Sequence, residues 1–166
     1  AKARGARIYG EIVEAAYGQD SRDPICFDVR EHALSHTLEL LFERSGIAPR
    51  AVDYMNLHGT GTKHGDLYET LELKEALGAH AGGIPMSSTK GATGHMLGAA
   101  GAVEIIATLL GMEEGFIPPT VGLEEKDPAC DLDYTPLKMR AQKIKTAVKI
   151  SMGFGGHVAA VLLRKI

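Results

Sequence analysis

Between Thr93 and Met112 the only formally charged side chain is Glu104. The rest of that stretch is glycine, alanine and branched apolar residues, with small residues at Gly94, Gly98 and Gly101 and larger ones at Ile105, Ile106, Leu109 and Leu110. It is too long for an ordinary strand and reads as a helix. A helix without a polar face must be covered on most of its sides. The fold therefore has to place layers of other structure around residues 93–112, which rules out a simple surface helix.

The remaining pattern supplies those layers. Residues 6–16, with Ile8, Ile12 and Val13, read as a strand. Residues 31–45 repeat apolar side chains at helical spacing, namely Ala33, Leu34, Leu38, Leu41 and Phe42, and Gly46 and Pro49 stop the helix. Residues 52–57 form a short apolar strand, 66–77 a second helix ended by Gly78, and 84–88 another short strand. A proline-containing segment, 117–136, reads as irregular. Residues 145–152 and 158–163 read as a closing pair of strands around Gly153–His157. Strands alternating with helices predict an α/β layer fold. The expected arrangement is a mixed five-stranded sheet with 93–112 on one face and 31–45 and 66–77 on the other.

Several function classes drop out. The net charge is −3, and no Lys or Arg cluster offers the positive patch that nucleic acid requires. No segment has about 18 uninterrupted apolar residues, so no membrane partner is expected. Ala1–Gly5 is basic without an apolar run behind it and does not read as a signal peptide. Cys26 and Cys130 read as free thiols of a reducing, cytoplasmic compartment. The 166 residues, 45% of them hydrophobic, suit one domain over 1–166.

Three glycine-rich clusters fall where strands end: His58–Thr62, Ser87–His95 and Gly153–Gly156. Ligands of open α/β sheets bind at such ends. None is a dinucleotide fingerprint or a phosphate loop. His58 and His64 have no third metal ligand nearby, so no metal is expected. Taken singly, His58 suits a core position, the small residues of 94–101 suit close helix packing, and Lys90 with Glu104 suits an ordinary ion pair.

Together the clusters are specific. Residues 53–62, Asp-Tyr-Met-Asn-Leu-His-Gly-Thr-Gly-Thr, resemble the first histidine motif of the β-ketoacyl-acyl-carrier-protein synthases. Residues 87–104, Ser-Ser-Thr-Lys-Gly-Ala-Thr-Gly-His and onward to Glu104, resemble the second. Residues 115–120, 127–134 and 153–157 follow in that family's order. His95 is followed by Met96 rather than Pro, and no Cys follows Cys130. These features place the resemblance with the elongating Cys-His-His class and away from thiolases. It covers the whole chain and corresponds to the C-terminal half of a member with the thiolase-like αβαβα fold.

The resemblance implies an acyltransferase reaction, the decarboxylative Claisen condensation of malonyl-acyl-carrier protein with an acyl thioester. His58 and His95 match the imidazoles that stabilise the enolate, Lys90 the lysine that positions the second histidine, and Phe154 an oxyanion-hole amide and gating ring. Thr60 and Thr62 match pantetheine contacts, and Gly155 belongs to the same substrate-binding block. Asn56 and Glu104 match a buried cation site. Lys149 stands there where small residues are common, and its ammonium is expected to replace the metal ion. No cofactor is implied beyond the phosphopantetheine of the carrier protein. The cysteine nucleophile lies on the family's N-terminal half, and neither Cys26 nor Cys130 sits in its setting. The implied partners are a Cys-bearing N-terminal half, the acyl carrier protein, and an oligomer with paired copies of each half. Residues 19–32 and Val158 depart from the family pattern. An alternative is a non-catalytic scaffold related to chain-length factors, although such a scaffold has little physical need for two convergent imidazoles.

Overall fold

The computed structural model describes residues 1–166. Its main sheet has five strands: β1 (Glu11–Gln19), β2 (Tyr54–Asn56), β3 (Met86–Ser87), β6 (Thr146–Gly153) and β7 (His157–Arg164), in the order β1-β7-β6-β2-β3. β1, β7 and β6 pair antiparallel, whereas β6, β2 and β3 are parallel, so the sheet is mixed as expected. A two-stranded ribbon of β4 (Phe116–Ile117) and β5 (Arg140–Ala141) brackets the proline-containing segment. No periodicity announces this ribbon, because two-residue strands are too short for alternation to register.

Side chains on neighbouring strand positions point to opposite faces, and two cores result. Met55, Val148 and Leu162 pack with α1 (Ala33–Ser45) and α2 (Lys63–Leu77) on one face. Tyr54, Ala147 and Leu163 pack with Met112 of α4 (Ala100–Glu114) on the other. The predicted division of helices between faces therefore holds. A single turn, α3 (Lys90–Thr93), lies between β3 and α4.

Three expectations need correction. β1 begins at Glu11, not residue 6, and runs on to Gln19, because pairing with β7 and not local alternation sets its ends. The predicted helix 93–112 does not start at 93. α3 ends at Thr93, where Gly94, with a φ of 73°, breaks the helix, and a short connection with one 3-10 turn over Leu97–Ala99 carries the chain to α4 at Ala100. Nor is that segment covered on most sides. Only Ala100, Glu104, Thr108, Gly111 and Met112 of α4 are buried, whereas Leu97 just before it is 78% exposed, Ile106 56% and Leu110 42%. This chain covers one side of the segment only.

Candidate active site

The carboxyl ends of parallel strands β2, β3 and β6 open onto one edge of the sheet, and the glycine clusters lie there. β2 runs out through Leu57 into the loop of His58, and β3 through Ser88 into α3. Two glycines let these loops close on their neighbours. A Cβ on Gly59, whose φ is 36°, would stand 2.5 Å from Ser88 Cβ. One on Gly91 would stand 2.1 Å from the Val121 carbonyl oxygen. Hydrogen bonds then tie the loops together: Ser88 Oγ donates to the Gly59 carbonyl at 2.7 Å, and the Ser88 amide donates to Thr120 Oγ1 at 3.1 Å. A cavity of about 670 Å³ results, lined among others by Leu57, Thr60, Lys90, His95, Thr120 and Tyr134.

The two predicted histidines meet beside this cavity, although only His95 is among its lining residues. Their ring centroids are 5.5 Å apart and their planes nearly perpendicular, at 82°. His95 sits in the break between α3 and α4. There the Leu97 amide donates to its Nδ1 at 3.1 Å. A nitrogen that accepts a hydrogen bond carries a lone pair, so the ring proton is on Nε2, which is free to donate. Leu97 holds a left-handed φ of 50°, an uncommon conformation for a branched residue, which aims its amide at the ring. His58 is half-buried, and its backbone is fixed from below. The buried carboxylate of Glu69 accepts the His58 amide at 2.7 Å and the Gly59 amide at 2.8 Å. Burial, with the positive charges of Lys90 and Lys149 behind it, pulls the His58 pKa down to about 3. His58 is therefore uncharged at neutral pH and carries one N–H.

Beneath the pair lies a buried charge cluster. Lys90 Nζ donates to Glu104 Oε1 at 2.6 Å, and Lys149 Nζ stands 2.8 Å from Glu104 Oε2. The second contact is an ion pair outside hydrogen-bond angles, so Oε2 is held by charge and not by a directed bond. Lys149 also donates to Ser151 Oγ at 3.1 Å and to the Ile150 carbonyl. Its burial lowers its pKa to about 8 despite the nearby carboxylate. Asn56 donates through Nδ2 to the Tyr54 hydroxyl at 3.1 Å, while its Oδ1 is buried without a partner. The Tyr54 hydroxyl shares a proton with Ser87 Oγ at 2.7 Å, and burial pushes its pKa up to about 12.

The other expected residues divide. Thr60 lines the cavity and lies 3.1 Å from Thr62 Oγ1, but Thr62 faces solvent at the start of α2. Phe154 was expected in the same pocket as the histidines. It stands instead on the turn between β6 and β7, outside the cavity wall, with its ring 79% exposed because this chain covers the turn's backbone but not that side chain. Gly155 has a φ of 82°, and its amide donates to the Pro24 carbonyl at 2.7 Å, which ties the turn to the 19–32 loop. Glu69 and Tyr54 were not singled out from sequence. The signal for Glu69 was slight: α2 places Glu69 and Glu72 between Tyr68 and Leu73 and so has no clean polar face.

Comparison with known proteins agrees with this architecture. The β-ketoacyl synthase C-terminal domain family matches residues 9–124. Over 165 residues the chain is 42% identical to the 3-oxoacyl-[acyl-carrier-protein] synthase 2 of Synechocystis, covering 99% of this chain and 40% of that protein. It is 40% identical to the actinorhodin polyketide putative β-ketoacyl synthase 1 of Streptomyces coelicolor, covering 99% of this chain and 35% of that one. Among solved structures, a type II polyketide ketosynthase bound to its acyl-carrier protein superposes with a TM-score of 0.95 at 35% identity, over 99% of this chain and 40% of that chain. A β-ketoacyl synthase from Burkholderia phymatum superposes at 0.91 with 32% identity, over the same shares of the two chains. The chain thus spans about 40% of the length of such relatives. With its mixed sheet, its paired histidines and these matches, the chain belongs to the β-ketoacyl synthase family and corresponds to the C-terminal part of its members.

Proposed function

We propose that this chain is the C-terminal half of an acyltransferase that performs decarboxylative Claisen condensation. In this reading the acyl group is held as a thioester on a cysteine of an N-terminal half. Malonyl arrives on the phosphopantetheine of an acyl carrier protein. Its carboxylate leaves as carbon dioxide, and the electron pair of the broken C–C bond forms an enolate on the thioester. That carbanion equivalent attacks the acyl carbon and expels the cysteine thiolate. The protein's task is to stabilise the enolate oxygen.

The observation that carries the reading is the protonation of the two rings. His95 Nδ1 accepts a backbone N–H and His58 is uncharged, so the pair offers two neutral N–H donors at one place. Neutral donors aimed at a developing oxyanion lower its energy without first having to lose a proton. The 3-oxoacyl-[acyl-carrier-protein] synthase among the relatives, and the carrier protein bound to one structural neighbour, agree with a substrate carried on such an arm.

The outer face of α4 supports a partner. Leu97, Ile106 and Leu110 are exposed, and the small residues Gly94 and Gly98 beside them permit close approach of another helix. About 1,000 Å² of such surface left wet forgoes ~25 kcal/mol of gross burial, more than the net stability of a typical domain. The Cys-bearing N-terminal half covers this face, and the family's paired architecture places two copies of each half in one assembly. The test is co-expression with that half, followed by size-exclusion chromatography, acylation with a radiolabelled thioester and a malonyl-decarboxylation assay. Label should enter the partner and not Cys26 or Cys130. His58→Ala or His95→Ala should slow decarboxylation by about a hundred- to a thousand-fold. Unchanged decarboxylation in both variants would favour the scaffold reading. A stable monomer of this chain alone would remove the partner.

A further inference from the structure

The buried cluster under the histidines has an uneven charge count. Two ammonium groups, of Lys90 on α3 and Lys149 on β6, share the single carboxylate of Glu104 on α4. All three side chains are at least nine-tenths buried. An ordinary structural ion pair needs one cation, and a second buried ammonium is costly unless it performs a task. Lys149 meets two oxygens of its own strand, Ser151 Oγ at 3.1 Å and the Ile150 carbonyl, and reaches across to Glu104 Oε2 of α4 at 2.8 Å. Without it, Glu104 Oε2 would be a buried carboxylate oxygen with no partner at all.

We infer that Lys149 is a positioning residue: its ammonium clamps the far oxygen of Glu104, and so fixes the near oxygen on which Lys90 is held beside the histidine pair. The carboxylate can rotate about its terminal bond at little cost. One ammonium would fix one oxygen and leave the other to turn, whereas two on opposite oxygens fix the plane. Lys90 lines the cavity next to His95, so any rotation of Glu104 moves a cavity wall. The same two cations are the charged groups that disfavour protonation of His58, after burial itself. The other groups facing this region are Glu69 from α2, the hydroxyl of Tyr54 from β2, and His95. The Glu69 carboxylate is engaged by two backbone amides and does not touch either lysine.

This inference rests on the histidine pair acting on malonyl, as proposed above, and its test separates the two claims. The experiment uses the assembled synthase with Lys149→Ala and Lys149→Met. It measures malonyl decarboxylation and thermal midpoint, each with and without methylammonium, and with tetramethylammonium as a cation too large for the vacated space. Lys149→Ala should lose about ten- to a hundred-fold in kcat with little change in KM. Methylammonium should restore several-fold of that loss and raise the midpoint of Lys149→Ala, but not of the wild type. Lys149→Met fills the space without a charge, so it should be slow, and methylammonium should not rescue it. In Lys149→Met the rate should also gain an acid limb at higher pH than in the wild type, because one of the two cations opposing His58 protonation is gone. The inference is overturned if Lys149→Ala stays within twofold of wild type, or if methylammonium raises neither its rate nor its midpoint. The midpoint shift needs no turnover and reads the clamp even in a preparation that folds poorly. An inactive wild type whose Lys149→Ala midpoint still responds to methylammonium would instead sink the proposed reaction and keep the clamp.

Discussion

Helices α1 and α4 lie on opposite faces of the same sheet and obey opposite rules. α1 turns Leu34, Leu38, Leu41 and Phe42 inward and leaves Glu39, Glu43 and Arg44 in water. It is an ordinary amphipathic helix whose apolar stripe completes a core within the chain. α4 turns Glu104 and Thr108 toward the sheet and leaves Ile106 and Leu110 exposed. Its inward carboxylate is explained by Lys149 on the facing strand and by Lys90. Its outward leucine and isoleucine are left uncovered by this chain. The difference teaches that one face of the sheet is closed by helices with their own polar sides, whereas the helix on the other face is covered on its inner side only. The candidate site lies at the strand-end edge between the two faces, lined from α2 as well as from the turn that leads toward α4.

The comparison can be broken most directly at Glu104. In the assembled protein, Glu104→Ala strands two buried ammonium groups and should cost about 3–5 kcal/mol. Glu43→Ala on the solvent side of α1 should stay within about 0.5 kcal/mol. Denaturant midpoints decide the matter, and equal costs would show that the inward charge of α4 is not the structural centre described here.

A smaller contrast sharpens the claim that one core is closed and the other open. In the assembled protein, Leu38→Ala on α1 should destabilise folding by about 2–5 kcal/mol and leave subunit affinity unchanged. Leu110→Ala on α4 should weaken the assembly and change its unfolding much less. Denaturant unfolding and sedimentation of the assembled protein test this. A Leu110→Ala variant whose assembly is as tight as the wild type's would mean that nothing covers α4.

The mildest expected effect is in pH. His58 holds its folded pKa near 3, against an ordinary value of 6.5. Below 6.5 the unfolded chain takes up a proton there that the folded chain refuses until about pH 3. The contribution of neutral His58 is thus fully present above pH 6.5 and is lost as the pH falls toward 3. His58→Gln should flatten the stability profile across that window. Leu38→Ala removes no titratable group, so it should lower the profile without changing its slope.

Much of this was legible in the residues. Period and punctuation marked α1, α2 and the β6–β7 pair to within a few positions. The order of the histidine, lysine and glycine motifs marked the family and named His58, Lys90, His95 and Glu104 as one group. Those signals are local, or are carried by rare combinations of residue types, and a linear chain displays both. What the tertiary structure decided is where polar and apolar groups face. Nothing in the sequence marks Glu69 and Glu72 as buried, yet they are, because backbone amides of the His58 loop and of Ser35 on α1 satisfy them. Residues 93–112 read as one buried helix. In fact it breaks at Gly94 so that His95 can leave the helix axis, and beyond the break its apolar side is bare. Composition records only that a residue suits a dry environment. Whether that environment is this chain's own core or another surface depends on contacts between segments far apart in sequence, and only the folded arrangement contains those.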